Sequence, residues 1–588
     1  MAYFSSRCRY PASGNASWKL AAASALLLAG TADQAAAIER HPAPEPTQPS
    51  ASTLPGMQEL GGSDDATPLG VTLGGIFVDD SLHEFPKGDV GGVRIRTSNE
   101  TINDPQLKSV LDGFIGQPLS FKLIDDVRAA VVTHMRDHNR PLVAVIVPPQ
   151  EVTGGTLRIA VLPFVVGEKK VERLGSRYQR GSDERILASV RVQPGEEVDS
   201  GELLEDLNWL NRSPFRKVGV VFDKGRLAGE TDITLTLKDE RPWQAYAGYA
   251  NSGTRASGHD RVYGGFAAEL PWDALVSYQY VTSPETIYSD GRFHNLNGDK
   301  VYLSHGFSYV QAFDNRMQLS LDGNYIHSRS RQNSFLVQDS RLLETGARIS
   351  IPFSPLGPAS EIFVGAEAKW QSREREFAGT PLGQSQVEIY QVTGGVQSEA
   401  QWNGHHIRYG LSGVFSPGGV GSNNTDTAFR AFSANNRAKA RYAYLEAWAD
   451  ASLNLPHALR LDLSGQGQVA SGVLPETERF DVGGVGTVRG YATGELSGDH
   501  GFWAQSELHL PPASFGELLV DFYGFLDHGK VYDFSLGGWS GITSIGLGAE
   551  VRMTDRVSLK TSWGYSLSAG SITTKRSNRL HIALTATY

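Results

Sequence analysis

From Arg241 to Tyr588 the chain alternates apolar and polar residues with a period of two, the pattern of strands that wet one face only. Met317, Leu319, Leu321 and Tyr325 interleave with Gln318, Ser320, Asp322 and Asn324. Leu459, Leu461, Leu463 and Val469 interleave with Arg460, Asp462, Ser464, Gln466 and Gln468. Ile545, Leu547, Ala549 and Val551 oppose Ser544, Gly546, Gly548, Glu550 and Arg552; after a tight turn at Thr554-Asp555, Val557, Leu559, Thr561, Trp563 and Tyr565 oppose Ser558, Lys560, Ser562 and Gly564. About sixteen such runs can be counted, with short turns such as Leu455-Pro456-His457 alternating with long Gly, Ser and Asn-rich segments such as Ser416 to Arg437. The pattern predicts a transmembrane β-barrel of sixteen antiparallel strands over residues 241–588. A soluble sandwich or propeller would leave unexplained the charged and amide residues spaced two apart inside the strands.

Residues 70–240 change period. Val93–Arg96 reads as a strand, Asp104–Gly113 as a short helix, and Ser120–His138 as a longer helix with Leu123, Val127, Ala130, Val131 and His134 near helical spacing. Strands follow at Leu142–Val147 and Leu157–Leu162. The order repeats: strand at Val165–Glu172, helices at Ser182–Val190 and Asp199–Asn211, then strands at Lys217–Phe222 and Thr231–Leu237. Two tandem α+β units of β-α-α-β-β order are expected, at 70–164 and 165–240.

The N-terminus supplies an address. Arg7, Arg9 and Lys19 precede the apolar Leu20–Gly30, and Ala35-Ala36-Ala37 offers small residues for cleavage, so residues 1–37 read as a secretory signal peptide. Residues 38–69 carry Pro42, Pro44, Pro46, Pro49, Pro55 and Pro68 and read as a semi-extended linker. The only cysteine, Cys8, lies in the signal, which excludes disulfides and thiolate chemistry from the mature chain. Net charge is −10; the signal contributes three basic residues and Asp33, net +2, so the mature chain carries −12, which argues against nucleic acid. No segment has the ~18 consecutive apolar residues of a membrane helix.

Pro149-Gln150-Glu151-Val152 with Gly155-Thr156-Leu157-Arg158-Ile159, and Leu207-Asn208-Trp209-Leu210-Asn211 ahead of Gly229-Glu230-Thr231-Asp232, resemble the two POTRA domains of two-partner secretion transporters. These are the TpsB proteins, FhaC, ShlB and HecB-like, of the BamA-like superfamily. The resemblance implies POTRA domains in the periplasm of a Gram-negative cell and a barrel in contact with outer-membrane lipid. It implies a large secreted exoprotein partner with an N-terminal secretion domain, whether adhesin, haemolysin or haem-acquisition protein. The POTRA domains would receive that partner in extended form, by pairing an open sheet edge with the incoming strand. Periplasmic chaperones and the barrel-assembly machinery would serve the transporter's own insertion. The family often has an N-terminal plug helix, whereas the Pro-rich segment here has only Gln58-Glu59-Leu60 of helical character. The alternative is a BamA or TamA-like insertase, whose relatives usually carry more POTRA modules than the two that fit here. A porin would leave residues 70–240 unexplained.

The glycine-rich stretch Asp481–Tyr491, DVGGVGTVRGY, falls between the eleventh and twelfth predicted strands, inside a loop spanning 470–500. Its Val488-Arg489-Gly490-Tyr491 matches the family's hallmark loop motif, which folds back into the lumen so that its arginine meets an acid on the barrel wall. The family's wall motif, Phe-x-Asp-x-Gly, stands here as Phe525, Asp527 and Gly529 on the thirteenth strand, so the resemblance pairs Arg489 with Asp527. A guanidinium offers a planar fork that a carboxylate accepts in two places and that Lys cannot reproduce. Gly483, Gly484 and Gly490 would let backbone enter a crowded lumen. Removing one partner of a buried pair costs ~3–5 kcal/mol, which a hydrated lumen is expected to reduce. The last strand ends on the aromatic Tyr588, which resembles the outer-membrane assembly signal.

Other chemistry is thin. Gly484-x-Gly486 lacks the flanking strand and helix of a nucleotide loop, and His405-His406 lacks a ligand set at metal spacing. No nucleophile elbow, Walker loop or zinc helix motif occurs. Neither an enzymatic activity nor a cofactor or metal is expected; the sequence reads as an outer-membrane translocation pore.

Overall fold

The computed structural model describes residues 52, 54 and 63–588, apart from 83, 84, 86, 87, 176, 255, 290, 299, 332–334, 403 and 555. The expected signal peptide, most of the Pro-rich linker, the helical hint at Gln58-Glu59-Leu60 and the turn residue Asp555 lie outside the described residues.

Residues 75–163 form a four-stranded sheet covered by two helices. The strands are β1 (Gly75–Asp79), β2 (Gly92–Arg96), β3 (Val143–Ile146) and β4 (Thr156–Pro163), in the order β2-β1-β4-β3. The sequence pattern passes over β1. Its five residues are all buried because it lies in the sheet centre, parallel to both β2 and β4, and a strand covered on both faces has no polar alternation to find. The first unit is therefore β-β-α-α-β-β. Helix α1 (Pro105–Asp112) is capped by Asp104, which accepts from the Gln106 amide; α2 (Phe121–Asp137) is capped by Ser120, which accepts from the Leu123 amide. Leu123, Val127 and Val131, one helical turn apart, pack with Leu107, Leu111, Ile76 and Ile159 into one core.

The second unit has one strand fewer and keeps the expected β-α-α-β-β order: β5 (Val165–Arg173), α3 (Asp183–Ala188), α4 (Ser200–Leu210), β6 (Arg216–Lys224) and β7 (Glu230–Asp239), with the sheet ordered β5-β7-β6. Ile233, Leu235 and Leu237 lie over Leu203, Leu207 and Leu210 of α4 in a separate core.

Beyond it, sixteen antiparallel strands close into a barrel, from Trp243–Ala250 to Asn578–Thr587. Alternation sorts the faces. On the seventh strand, Ser360–Phe377, Val364 and Trp370 face outward, while Lys369, Gln371 and Arg373 are buried inside. The first and last strands pair over only five positions, Tyr246↔Thr587 to Ala250↔Ala583. Tyr588 extends that seam: its amide donates to the Ala245 carbonyl at 2.7 Å and its carbonyl accepts from the Ala245 amide at 3.0 Å.

The second N-terminal unit caps one end of the barrel, here called the proximal mouth. Arg316, in the turn between the fourth and fifth strands, donates to Asp206 and Glu205 of α4, and Asn208 Nδ2 donates to the Pro358 carbonyl at 3.1 Å. Arg180 pairs with Glu269 at the end of the second strand. At the opposite, distal end the segment from Ser416 to Arg437 is not an open loop. It folds into a helix, Asp426–Ser433, whose Phe429 and Phe432 pack against Val387, Ile389 and Tyr442.

Candidate functional site

The segment between the eleventh strand (Arg460–Ala470) and the twelfth (His500–His509) turns back into the barrel. A short antiparallel pair, Phe480–Val482 with Leu496–Gly498, frames its tip. The chain reverses through Gly483 and Gly484 at φ of 110° and 97°, values that an L side chain rarely adopts. A side chain on Gly483 would also strike the Ala492 carbonyl, 2.5 Å from its Cβ position. Phe480, Val482, Val488 and Tyr491 then form an apolar cluster with Val531 and Ile542 of the wall.

Arg489 sits at the centre. Its Nε donates to Asp527 Oδ2 at 2.7 Å, its Nη2 to Asp527 Oδ1 at 2.7 Å, and its backbone amide to Asp527 Oδ2 at 3.0 Å. The fork is bidentate, the geometry a lysine cannot supply. Asp527 is fully buried, Arg489 is 2% exposed, and the guanidinium lies over the Phe525 ring at 3.7 Å. Protein, not water, surrounds this pair, so the expected discount for a hydrated lumen does not apply at this spot. The third nitrogen, Nη1, donates to Glu507 of the twelfth strand, a partner absent from the sequence reading. Its signal was there: Gln505, Glu507 and His509 are the polar members of an alternating strand whose Leu508 points outward.

Each glycine of the two motifs has a steric reason. A Cβ on Gly529 would sit 2.9 Å from Val488 Cγ2. Gly490, at φ 86°, presses backbone against backbone on Gly564 of the fifteenth strand. Tyr491 is buried, and its hydroxyl bonds the Thr543 carbonyl and the Ser568 carbonyl at 2.8 Å each. Glu495 is also buried and accepts from the Ile572 and Thr573 amides at 2.6 and 2.8 Å, tying the loop to the turn before the last strand.

The loop is held from the opposite wall as well. Lys369 Nζ donates to Glu478 Oε1 at 2.7 Å, Tyr444 Oη donates to Glu478 Oε2 at 2.9 Å, and Arg373 pairs with Glu476. These contacts join residues 34 to 109 positions apart, and single-sequence patterning has no means of registering them. The loop is therefore a strap across the lumen, fixed to the seventh strand on one side and to strands twelve to fifteen on the other. Tyr588 lies apart from it at the seam, its ring tilted against Trp243 and covered by the Arg241 guanidinium. His405 and His406 are neighbours on one strand and so point to opposite faces; His406 bonds Glu399 at 2.8 Å, an acid the sequence reading had not placed nearby.

Comparison with known proteins agrees with this architecture. Residues 359–552 match the family profile described as haemolysin secretion/activation protein ShlB/FhaC/HecB, and residues 89–163 match the ShlB-type POTRA domain. The outer membrane transporter CdiB-2 of Burkholderia pseudomallei (strain 1026b) is 23% identical over 406 residues, 66% of this chain and 64% of that protein, so the match spans under two thirds of its length. The heme/hemopexin transporter protein HuxB of Haemophilus influenzae (strain 86-028NP) is 22% identical over 451 residues, covering 74% of this chain and 75% of HuxB. The fold is that of CdiB from Escherichia coli, with TM-score 0.62 at 13% identity over 92% of this chain and 94% of that one. CdiB from Acinetobacter baumannii gives 0.58 at 15% identity over 97% of both chains. With the sixteen-stranded barrel and both motifs in place, the barrel region and the first N-terminal unit are similar to the ShlB/FhaC/HecB secretion/activation family and its ShlB-type POTRA domain.

Proposed function

We propose that this protein is a two-partner secretion pore, not an enzyme, which moves a large exoprotein from the periplasm to the cell surface. In this reading residues 70–164 and 165–240 are two periplasmic POTRA domains, and 241–588 is the barrel in the outer membrane of a Gram-negative cell. The observation that carries it is a vestibule of about 440 Å³ where the second POTRA unit meets the proximal mouth. Trp209 and Arg212 line one side, and Ser277, Ser308, Gln318 and Gln397 of the barrel line the other. Hydroxyl and amide side chains can exchange hydrogen bonds with the backbone of an extended chain passing over them, whatever its sequence. Among the described residues β6 is an edge strand of its sheet, which suits strand addition. Val488, Arg489, Gly490, Tyr491, Gly483 and Gly484 act as the lumen strap and Phe525, Asp527 and Gly529 as its wall seat, with Tyr588 as the assembly signal. Folding of the partner at the surface supplies the bias for export.

The test is co-expression with the product of a neighbouring gene for a large exported protein with an N-terminal β-helical secretion domain. Export of that protein to the surface only when the transporter is present supports the reading. A transporter deletion that instead depletes outer-membrane proteins at large would favour the insertase alternative.

A further inference from the structure

Two groups of carboxylate and imidazole side chains stand close enough to share a cation among the described residues: Asp462, Glu507 and His509 in the lumen, and Asp104, His134 and His138 in the first N-terminal unit. In the lumen the negative charge is already met, because Arg460 donates to Asp462 and Asp521, and Arg489 donates to Glu507. Among the described residues no arginine or lysine side chain bonds the second group, and its geometry differs in kind.

His134 on α2 and His138 at its C-cap lie one turn apart, on the face turned toward the N-terminus of α1. Asp104 divides its labour: Oδ1 accepts from the Gln106 amide as the N-cap of α1, which leaves Oδ2 for the imidazoles. His138 Nδ1 faces the His134 carbonyl at 2.8 Å. A carbonyl only accepts, so the Nδ1 proton is fixed there, and a neutral His138 directs the Nε2 lone pair at Asp104 Oδ2, 3.2 Å away. Two acceptors facing each other are reconciled by a proton or a metal ion between them. The orientation of His138 by a backbone carbonyl is also the usual outer support of a metal-bound histidine.

The spacing fits an ion. His134 Nε2 is 3.5 Å from Asp104 Oδ2 and 3.0 Å from the Thr101 carbonyl. Donors bound tetrahedrally to zinc at ~2.0–2.2 Å lie about 3.3–3.6 Å from one another. We propose that Asp104, His134 and His138, with the Thr101 carbonyl as fourth donor, bind a divalent transition-metal ion of the zinc type. On binding, His134 exchanges its Nε2 proton for the metal, and the imidazoles and the carboxylate supply N and O ligands of the class such ions prefer.

The site lies at the joint between the two N-terminal units. Just past it, the Asn139 carbonyl accepts from the Ser200 amide at 2.9 Å and Arg140 pairs with Asp199 at 2.9 Å. On the other ligand-bearing segment, Asn99 Nδ2 donates to Glu197 at 2.8 Å. A metal would clamp the 99–104 turn to the end of α2, the two segments that carry the second unit, and so stiffen the relative placement of the two units.

The experiment uses the tag-free full chain in detergent, stripped with chelator, and titrated with zinc chloride by calorimetry alongside elemental analysis. One zinc per chain is expected, with affinity falling by about tenfold or more in both His138→Ala and Asp104→Asn. Asn is as good an N-cap as Asp, so the second variant keeps α1 intact. Absence of zinc binding by the parent chain overturns the proposal, as does binding unchanged in both variants; an imidazolium of His138 paired with Asp104 would then be the cation that the geometry requires.

Discussion

Gly490 and Gly564 touch through their backbones: a Cβ on Gly564 would lie 2.5 Å from the Gly490 nitrogen and 2.8 Å from its Cα. No flexible side-chain end is available to yield, so the strap and the fifteenth strand approach this closely only because both residues are glycine. Gly564→Val suits a strand by propensity and should leave the barrel inserted and heat-modifiable. It should nevertheless lift the strap from its seat, at an overpacking cost of ~1–3 kcal/mol. The expected outcome is normal barrel assembly with reduced export of the co-expressed partner; undiminished export would show that the close contact is dispensable.

Arg489 and Asp527 give a sharper test because Glu507 stands beside them. Arg489→Ala leaves Asp527 buried without its donor, and a loss of ~3 kcal/mol would shift the seated fraction of the strap about 100-fold. Arg489→Lys should rescue little, since the bidentate fork is lost. Exchanging the charges, Arg489→Asp with Asp527→Arg, should export more than either single variant. The exchange places the new carboxylate near Glu507, so full recovery is expected only when Glu507→Gln is added. Equal loss in single, double and triple variants would count against a direct pair. Export and heat-modifiability are measured together in each case.

Much of this was legible in the sequence, for identifiable reasons. Period-two alternation marks any strand with lipid on one side and water on the other, so the sixteen barrel strands stood out, and the motif at Val488–Tyr491 fell between the eleventh and twelfth. The wall motif then brought Asp527 to Arg489. β1 was missed because a strand buried on both faces, Gly-Ile-Phe-Val-Asp, carries no alternation. The helix at Asp426–Ser433 was hidden in a loop of turn-forming residues, with only Phe429 and Phe432 to signal a buried face. Glu507 looked like any other lumen-facing polar residue. Lys369 and Glu478 meet only through barrel closure and the inward course of the strap, two facts of tertiary structure.

Whether the strap must leave its seat for cargo to pass can be decided with a reversible bond. Cys8 is the chain's only cysteine, so Cys8→Ser gives a cysteine-free background. Val488 Cγ2 lies 2.9 Å from a Cβ built on Gly529, so Val488→Cys with Gly529→Cys brings a sulfur of one residue against the β-carbon of the other, as across a disulfide. Both positions are buried, so the bond would form within the seated state. Export that stops on oxidation and returns with reductant would establish that the strap moves. Equal export in both states would establish a fixed strap and a path beside it.

Removing residues 70–164 separates capture from assembly. The first unit has its own core around Leu107, Leu111, Val127 and Ile159, while Leu203, Leu207, Ile233 and Leu235 form that of the second, so excision need not unravel the latter. The clamp of the second unit to the barrel, Arg316 with Asp206 and Arg180 with Glu269, lies wholly outside the deleted segment. What is lost is the joint at Arg140 and Asp199 and the first sheet. A heat-modifiable barrel is therefore expected at normal level, with the partner retained in the periplasm and no longer co-purifying with the transporter. Export at the parental level would refute a docking role for the first unit, and would leave the second unit and its vestibule to receive the cargo alone.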